Sequence, residues 1–147
     1  MKPRLCYVLF AALFPAALPA DEPLRISVYA TAGGVNRYFG TLEDRAKTAD
    51  VLRRFSISRI FLEGRRGDEY VPPARLEEIR SDLAARGFQL SGGIATVPGK
   101  SFGVRQNEGL SWLNFQAKKT QDEIAAFFRE NAAVFDEIIV DDFYCSG

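Results

Sequence analysis

The sequence predicts an α/β fold of parallel β/α units, the first half of a (β/α)8 (TIM) barrel, and three observations carry that expectation. Apolar β-forming runs begin near residues 25, 59, 89 and 137 and alternate with helical periodicity, at the unit size of right-handed βαβ crossovers. Two of these runs end in acids, Glu63 after the second and Asp141-Asp142 after the fourth, where parallel sheets present their ligands. Gly33-Gly34 after the first run lacks the G-x-G-x-x-G spacing of a dinucleotide-binding sheet, and no helix is expected to follow it at once. Four such strands make half of a barrel or most of a doubly wound sheet, and the last two observations favour the barrel.

In chain order, Arg25 to Ala30 alternates apolar and polar residues and reads as the first strand. Val35 to Gly40 reads as a long loop whose aromatic and amide groups suit binding. Thr41 with Asp44 caps a first helix, with Leu42, Ala46, Ala49, Leu52 and Phe55 on its apolar face and Arg45 elsewhere. The second strand, Arg59 to Leu62, ends in Glu63-Gly64 and leads into a mobile, charged loop over residues 65–70. Pro72-Pro73 opens the next helix, whose buried face is Leu76, Ile79 and Leu83 and whose end is marked by Gly87 at C′.

The third strand, Gln89 to Ala95, carries Gly92-Gly93, which implies a bulge or a close backbone approach. Thr96 to Lys119 is the longest irregular stretch, and its Phe102, Trp112 and Phe115 argue for function over disorder. Thr120 with Glu123 forms a capping box, followed by a stripe of Ile124, Phe127, Phe128, Ala132 and Phe135. The unalternated run Ile138-Ile139-Val140 reads as a strand buried on both faces.

Residues 1–20 read as a signal peptide: Lys2 and Arg4, an apolar stretch from Leu5 to Leu18, and Ala20 before Asp21. An uncleaved anchor is the alternative, and Cys6 is not placed for lipidation. Cleavage would leave residues 21–147 as a partial barrel domain, exported to the periplasm or beyond, with no stable membrane insertion. Its charge would be 17 basic minus 19 acidic residues, or −2, too little basic excess for a nucleic-acid surface. Lys118-Lys119 are explained by a solvated helix start. Cys145 would be the sole thiol, either pairing with a cysteine beyond Gly147 or simply half-buried.

The chain has no histidine. Ser-His-Asp and Cys-His catalysis and histidine-ligated zinc are thereby excluded within it, and acid–base work falls on carboxylates. Glu63, Asp141 and Asp142 are the candidate catalytic residues, although any of them could instead pair with an arginine such as Arg37 or Arg65. Only one of Asp141 and Asp142 would face the barrel axis if the strand stays regular to its end. Glycoside hydrolysis runs on carboxylates alone. Tyr29, Tyr38, Trp112 and Tyr144, with Asn36 and Arg37, are the candidate substrate-binding groups, the aromatics as sugar-stacking faces. Calcium or magnesium could use the same acids, but the D-x-[DN]-x-[DN]-G pattern is absent and no metal or cofactor is expected.

Val28-Tyr29 leading to Gly33-Gly34-Val35-Asn36-Arg37-Tyr38-Phe39, and above all Phe135 to Cys145, resemble the N-terminal half of exported bacterial barrel proteins similar to glycoside hydrolases. The resemblance spans about Leu24 to Gly147. It implies a (β/α)8 barrel, a polysaccharide or glycoside substrate, and Asp141 and Asp142 as members of the site. A complete barrel typically needs roughly 250 residues, so the partner expected for this chain of 147 residues is a C-terminal half-barrel, without which it would be inactive. A non-catalytic carbohydrate- or partner-binding module of the same shape is the alternative function.

Overall fold

The computed structural model describes residues 25–107 and 110–142. The expected signal peptide with Cys6, and Tyr144 and Cys145, lie outside the described residues. Four parallel strands alternate with helices to form a half-barrel: β1 (Ile26–Ala30), β2 (Ile57–Glu63), β5 (Gln89–Ala95) and β8 (Ile138–Asp141), in the spatial order β1-β2-β5-β8. Adjacent registers include Tyr29↔Phe61, Glu63↔Gly93 and Ala95↔Asp141, so the acid-bearing strand ends lie along one rim.

The expected loop after β1 is a helix, α1 (Ala32–Tyr38). Thr31 caps it by accepting from the Gly34 N–H at 3.3 Å, and Ala32, Val35 and Phe39 bury one side of it. Two glycines in its first turn lower helix propensity, but burial outweighs that cost of about 1 kcal/mol each. The second helix, α2 (Leu42–Arg54), starts where Thr41 accepts from the Asp44 N–H at 3.0 Å. Its buried face is not the expected stripe. Leu42 and Phe55 are 63% and 66% exposed, whereas Arg45 is buried with Ala49 and Leu52. Arg45 reaches across to α3 (Pro73–Ala85), donating to Glu78 Oε1 at 2.7 Å and to the Thr41 carbonyl at 3.2 Å. Its aliphatic stem can therefore fill core volume while its head is paired.

Helix α3 buries Leu76, Ile79 and Leu83 as expected, and Gly87 closes it at φ +92°. These side chains join Ile60, Leu62, Val71, Phe88 and Phe135 in the main core between sheet and helices. The charged loop after β2 is a hairpin, β3 (Arg65–Arg66) with β4 (Glu69–Tyr70), turned at Gly67 with φ +60°. The long stretch after β5 contains a second hairpin, β6 (Arg105–Asn107) with β7 (Leu110–Leu113). Helix α4 (Lys118–Ala132) begins earlier than expected and has no side-chain cap. Thr120 and Glu123 serve the loop instead, accepting from the Val104 and Gly103 N–H groups. Lys118 and Lys119 are solvated and pair with Asp122 and Glu123 one turn on. Phe127 of α4 packs with Ile94, Phe102 and Leu113 in a second, smaller core.

The sheet is unbulged at Gly92-Gly93, where close approach is the reason for glycine. A Cβ on Gly92 would lie 2.8 Å from the Phe135 ring, and one on Gly93 2.8 Å from Tyr29 Oη. Strand β8 is not buried on both faces: Ile139 and Val140 are 41% and 37% exposed. It ends the strand order, so among the described residues only β5 pairs with it.

Candidate active site

Glu63 closes β2 with a side chain that is completely buried. Such a carboxylate is tolerated only if its oxygens are satisfied. Tyr29 Oη donates to Oε2 at 2.6 Å and the Ala32 N–H, at the start of α1, donates to Oε1 at 2.9 Å. Arg66 completes the set, with Nε 3.1 and 3.2 Å from the two oxygens and Nη2 2.9 Å from Oε2.

The same guanidinium then crosses the rim. Nη2 donates to Asp141 Oδ2 and Nη1 to Asp142 Oδ2, both at 2.6 Å. One arginine from the β3–β4 hairpin thus ties the tips of β2 and β8 together. Strand alternation explains the choice of arginine, since consecutive residues of β3 point opposite ways. Arg65 stacks on Tyr70, Phe102 and Phe127 at 4.2, 4.6 and 5.9 Å, while Arg66 turns to the acids.

The fourth strand does not stay regular to its end. Asp142 has φ +57°, a left-handed conformation that aspartate tolerates better than most residues. Its N–H donates to Asp141 Oδ1 at 2.9 Å and its carbonyl accepts from Thr96 Oγ1 at 2.5 Å. The condition under which only one acid would face the barrel axis, a strand regular to its end, is not met, and both acids reach Arg66. Arg66 is held above the ordinary guanidinium range: burial opposes its charge, but hydrogen bonds to Glu63, Asp141 and Asp142 prevail. Burial, then the hydrogen bond to Glu63 and the charge of Asp141, push the Tyr29 hydroxyl far above its usual value.

Of the residues singled out from the sequence, Glu63, Asp141, Asp142 and Tyr29 come together. Tyr29 does so through its hydroxyl, with its ring stacked 6.5 Å from Phe61. Asn36, Arg37 and Tyr38 sit exposed on α1, where Asn36 donates to the Tyr70 carbonyl at 3.5 Å and Arg37 lies over the Tyr38 ring. Tyr38 also borders a cleft of about 300 Å³ beside Tyr29, Phe39 and Leu52. Trp112 is half-buried on β7, and Tyr144 lies outside the described residues. The residue that sequence reasoning missed is Arg66. Its signal was available: an arginine three positions after a strand-tip acid, across a glycine that lets the chain turn back. Arg37 and Arg65, the partners considered for the acids, stack on aromatic rings instead.

A family model described as "Probable glycosyl hydrolase, catalytic domain" matches residues 15–147. An uncharacterized protein of Saccharolobus solfataricus is 26% identical over 127 residues, which cover 85% of this chain and 21% of the relative. The chain thus spans about a fifth of the length of the curated relative it matches. No solved structure matches.

Proposed function

The chain belongs to the probable glycosyl hydrolase catalytic-domain family, and from that premise we propose that it is the N-terminal half-barrel of an exported enzyme that cleaves O-glycosidic bonds. The observation that carries the reading is the meeting of Asp141 and Asp142 with Glu63 across one guanidinium, at the rim where barrel enzymes place their chemistry. With no histidine in the chain, acid–base work falls mainly on carboxylates, and of the three that meet here Glu63 is enclosed. Asp141 and Asp142, 46% and 27% exposed, are the two that substrate can reach.

In this reading one of the pair protonates the leaving oxygen, or serves as nucleophile or base at the anomeric carbon. The acid on the other side of the scissile bond comes from strands that complete the barrel. Export is supported by the leader-like first twenty residues. Among the described residues the outer edges of β1 and β8 pair with no further strand; this, and the greater length of the relative, supports a C-terminal half that closes the barrel.

A second reading, a carbohydrate-binding module without turnover, is favoured by one observation: all three acids already pair with Arg66, as in a purely structural ion network. Assaying the full-length protein on a panel of aryl glycosides and polysaccharides, alongside binding to the same polysaccharides, separates the two. Turnover supports the hydrolase. Saturable binding without turnover supports the module.

A further inference from the structure

We propose that Arg66 is the positioning residue of this site and that Glu63 is its anchor, leaving Asp141 and Asp142 as the groups that meet substrate. The proposal deepens the hydrolase reading and rests on it for the word substrate, but its geometry stands on its own. Glu63 is fully enclosed, and its oxygens already accept from Tyr29, the Ala32 N–H and Arg66. It has neither access to a sugar nor a free direction for a proton.

What Glu63 can do is fix a plane. A guanidinium carries its donors in a rigid planar fork, so gripping the Nε–Nη2 edge determines where the remaining N–H groups point. Here they point at Asp142 and Asp141, each at 2.6 Å. Those aspartates stand at the tip of a strand paired on one side among the described residues, and one of them has left the regular strand conformation. The strand alone does not define their directions. The fork does, carrying the order of a buried carboxylate on β2 across β5 to β8. A lysine at this position keeps the charge but offers a flexible point donor, unable to hold both acids in one plane.

The test uses the full-length protein with nitrogen-15-labelled arginine and labelled backbone amides. The Arg66 Nε–H is expected to exchange at least about tenfold more slowly than that of exposed Arg37. Glu63→Gln should abolish the difference, whereas Asp141→Asn and Asp142→Asn should preserve it, because Nε faces Glu63 alone. The Asp142 amide, bonded to Asp141 Oδ1, should shift in both Arg66→Lys and Glu63→Gln. On an aryl glycoside that the wild type cleaves, and below the melt of the variant, which loses the guanidinium donors to a buried carboxylate, Arg66→Lys should lower kcat about 100-fold with KM within about threefold, as expected for misplaced reacting groups. An Arg66 Nε–H that exchanges like that of Arg37, an Asp142 amide indifferent to Arg66→Lys, or a wild-type kcat in that variant overturns the proposal. Should the wild type cleave nothing, the hydrolase reading fails, while the two resonance measurements still decide whether Arg66 orients the acids.

Discussion

Replacing Gly93 with alanine tests whether the acid cluster is locked through Tyr29. The new Cβ would lie 2.8 Å from Tyr29 Oη, 2.9 Å from Cε2 and 3.0 Å from Cζ. Ordinary carbon contacts are about 3.5–4.0 Å, so the ring must withdraw by roughly 0.5–1 Å. That movement takes the 2.6 Å bond from Tyr29 to Glu63 to the edge of hydrogen-bonding range. Losing a bond to a charged acceptor costs about 1.5–3 kcal/mol, and crowding a packed interior about 1–3 kcal/mol. Removing glycine's backbone freedom returns about 0.5–1 kcal/mol. The net is a loss of about 3 kcal/mol, which for a barrel of roughly 250 residues lowers the melting temperature by roughly 10 °C. Calorimetry of the full-length protein reads it directly. Because the clash and the hydroxyl bond share one side chain, Tyr29→Phe with Gly93→Ala should cost less than the two single changes summed. A Gly93→Ala protein that melts within about 1 °C of wild type refutes the lock, as does strict additivity in the double variant.

Further outcomes follow from the same geometry. Asp141→Asn or Asp142→Asn should cut turnover of a cleaved glycoside by roughly two orders of magnitude with the melt intact; near-normal rates in both would make these acids structural. The folded-state pKa of Tyr29 is raised, so the unfolded chain loses that proton first and stability should fall as pH rises above 10, where the unfolded tyrosine ionises. Melting curves across that range should show a shallower alkaline decline for Tyr29→Phe. On the opposite side of the sheet, Glu78→Ala should lower the melting temperature more than Arg45→Met, because the former takes the nearest carboxylate from a buried cation, leaving it Asp82 at 3.9 Å and backbone carbonyls, and the latter leaves carboxylates that water can reach.

The parallel strands were legible because apolar β-formers recur at βαβ spacing, and the third strand was readable to its exact limits. Helix α1 was not, because Gly33-Gly34 reads as a break. The signal that outweighs them, Ala32, Val35 and Phe39 on one side above Thr31, is short enough to pass as loop. Arg45 was hidden by its charge, which composition places in solvent and the facing Glu78 draws inward. Thr120 and Glu123 match a capping box, yet their oxygens accept from amides of the preceding loop. Strand-tip acids announced the candidate site, but its organiser lay outside any strand pattern. Arg66 meets Asp141 and Asp142 across 75 and 76 residues of chain, a distance over which local periodicity carries no information.

The division of the interior into two apolar clusters has a bearing on how the molecule opens. The larger one joins β2 to α1, α2 and α3, whereas the smaller gathers Ile94, Phe102, Leu113 and Phe127 beneath the β6–β7 hairpin. Ile138 packs against both. A segment held by its own small cluster can detach without dissolving the rest, so amide protons there should escape through a partial opening. Those of Val104 and Asn114, bonded to Thr120 Oγ1 and to the Val104 carbonyl, belong to this set. The amides of Ile60 and Leu62 should be released only when the entire chain unravels. Asp141 and Asp142, three and four residues beyond Ile138 at the tip of β8 and tied to Thr96 just past the end of β5, stand on the seam between these two regimes.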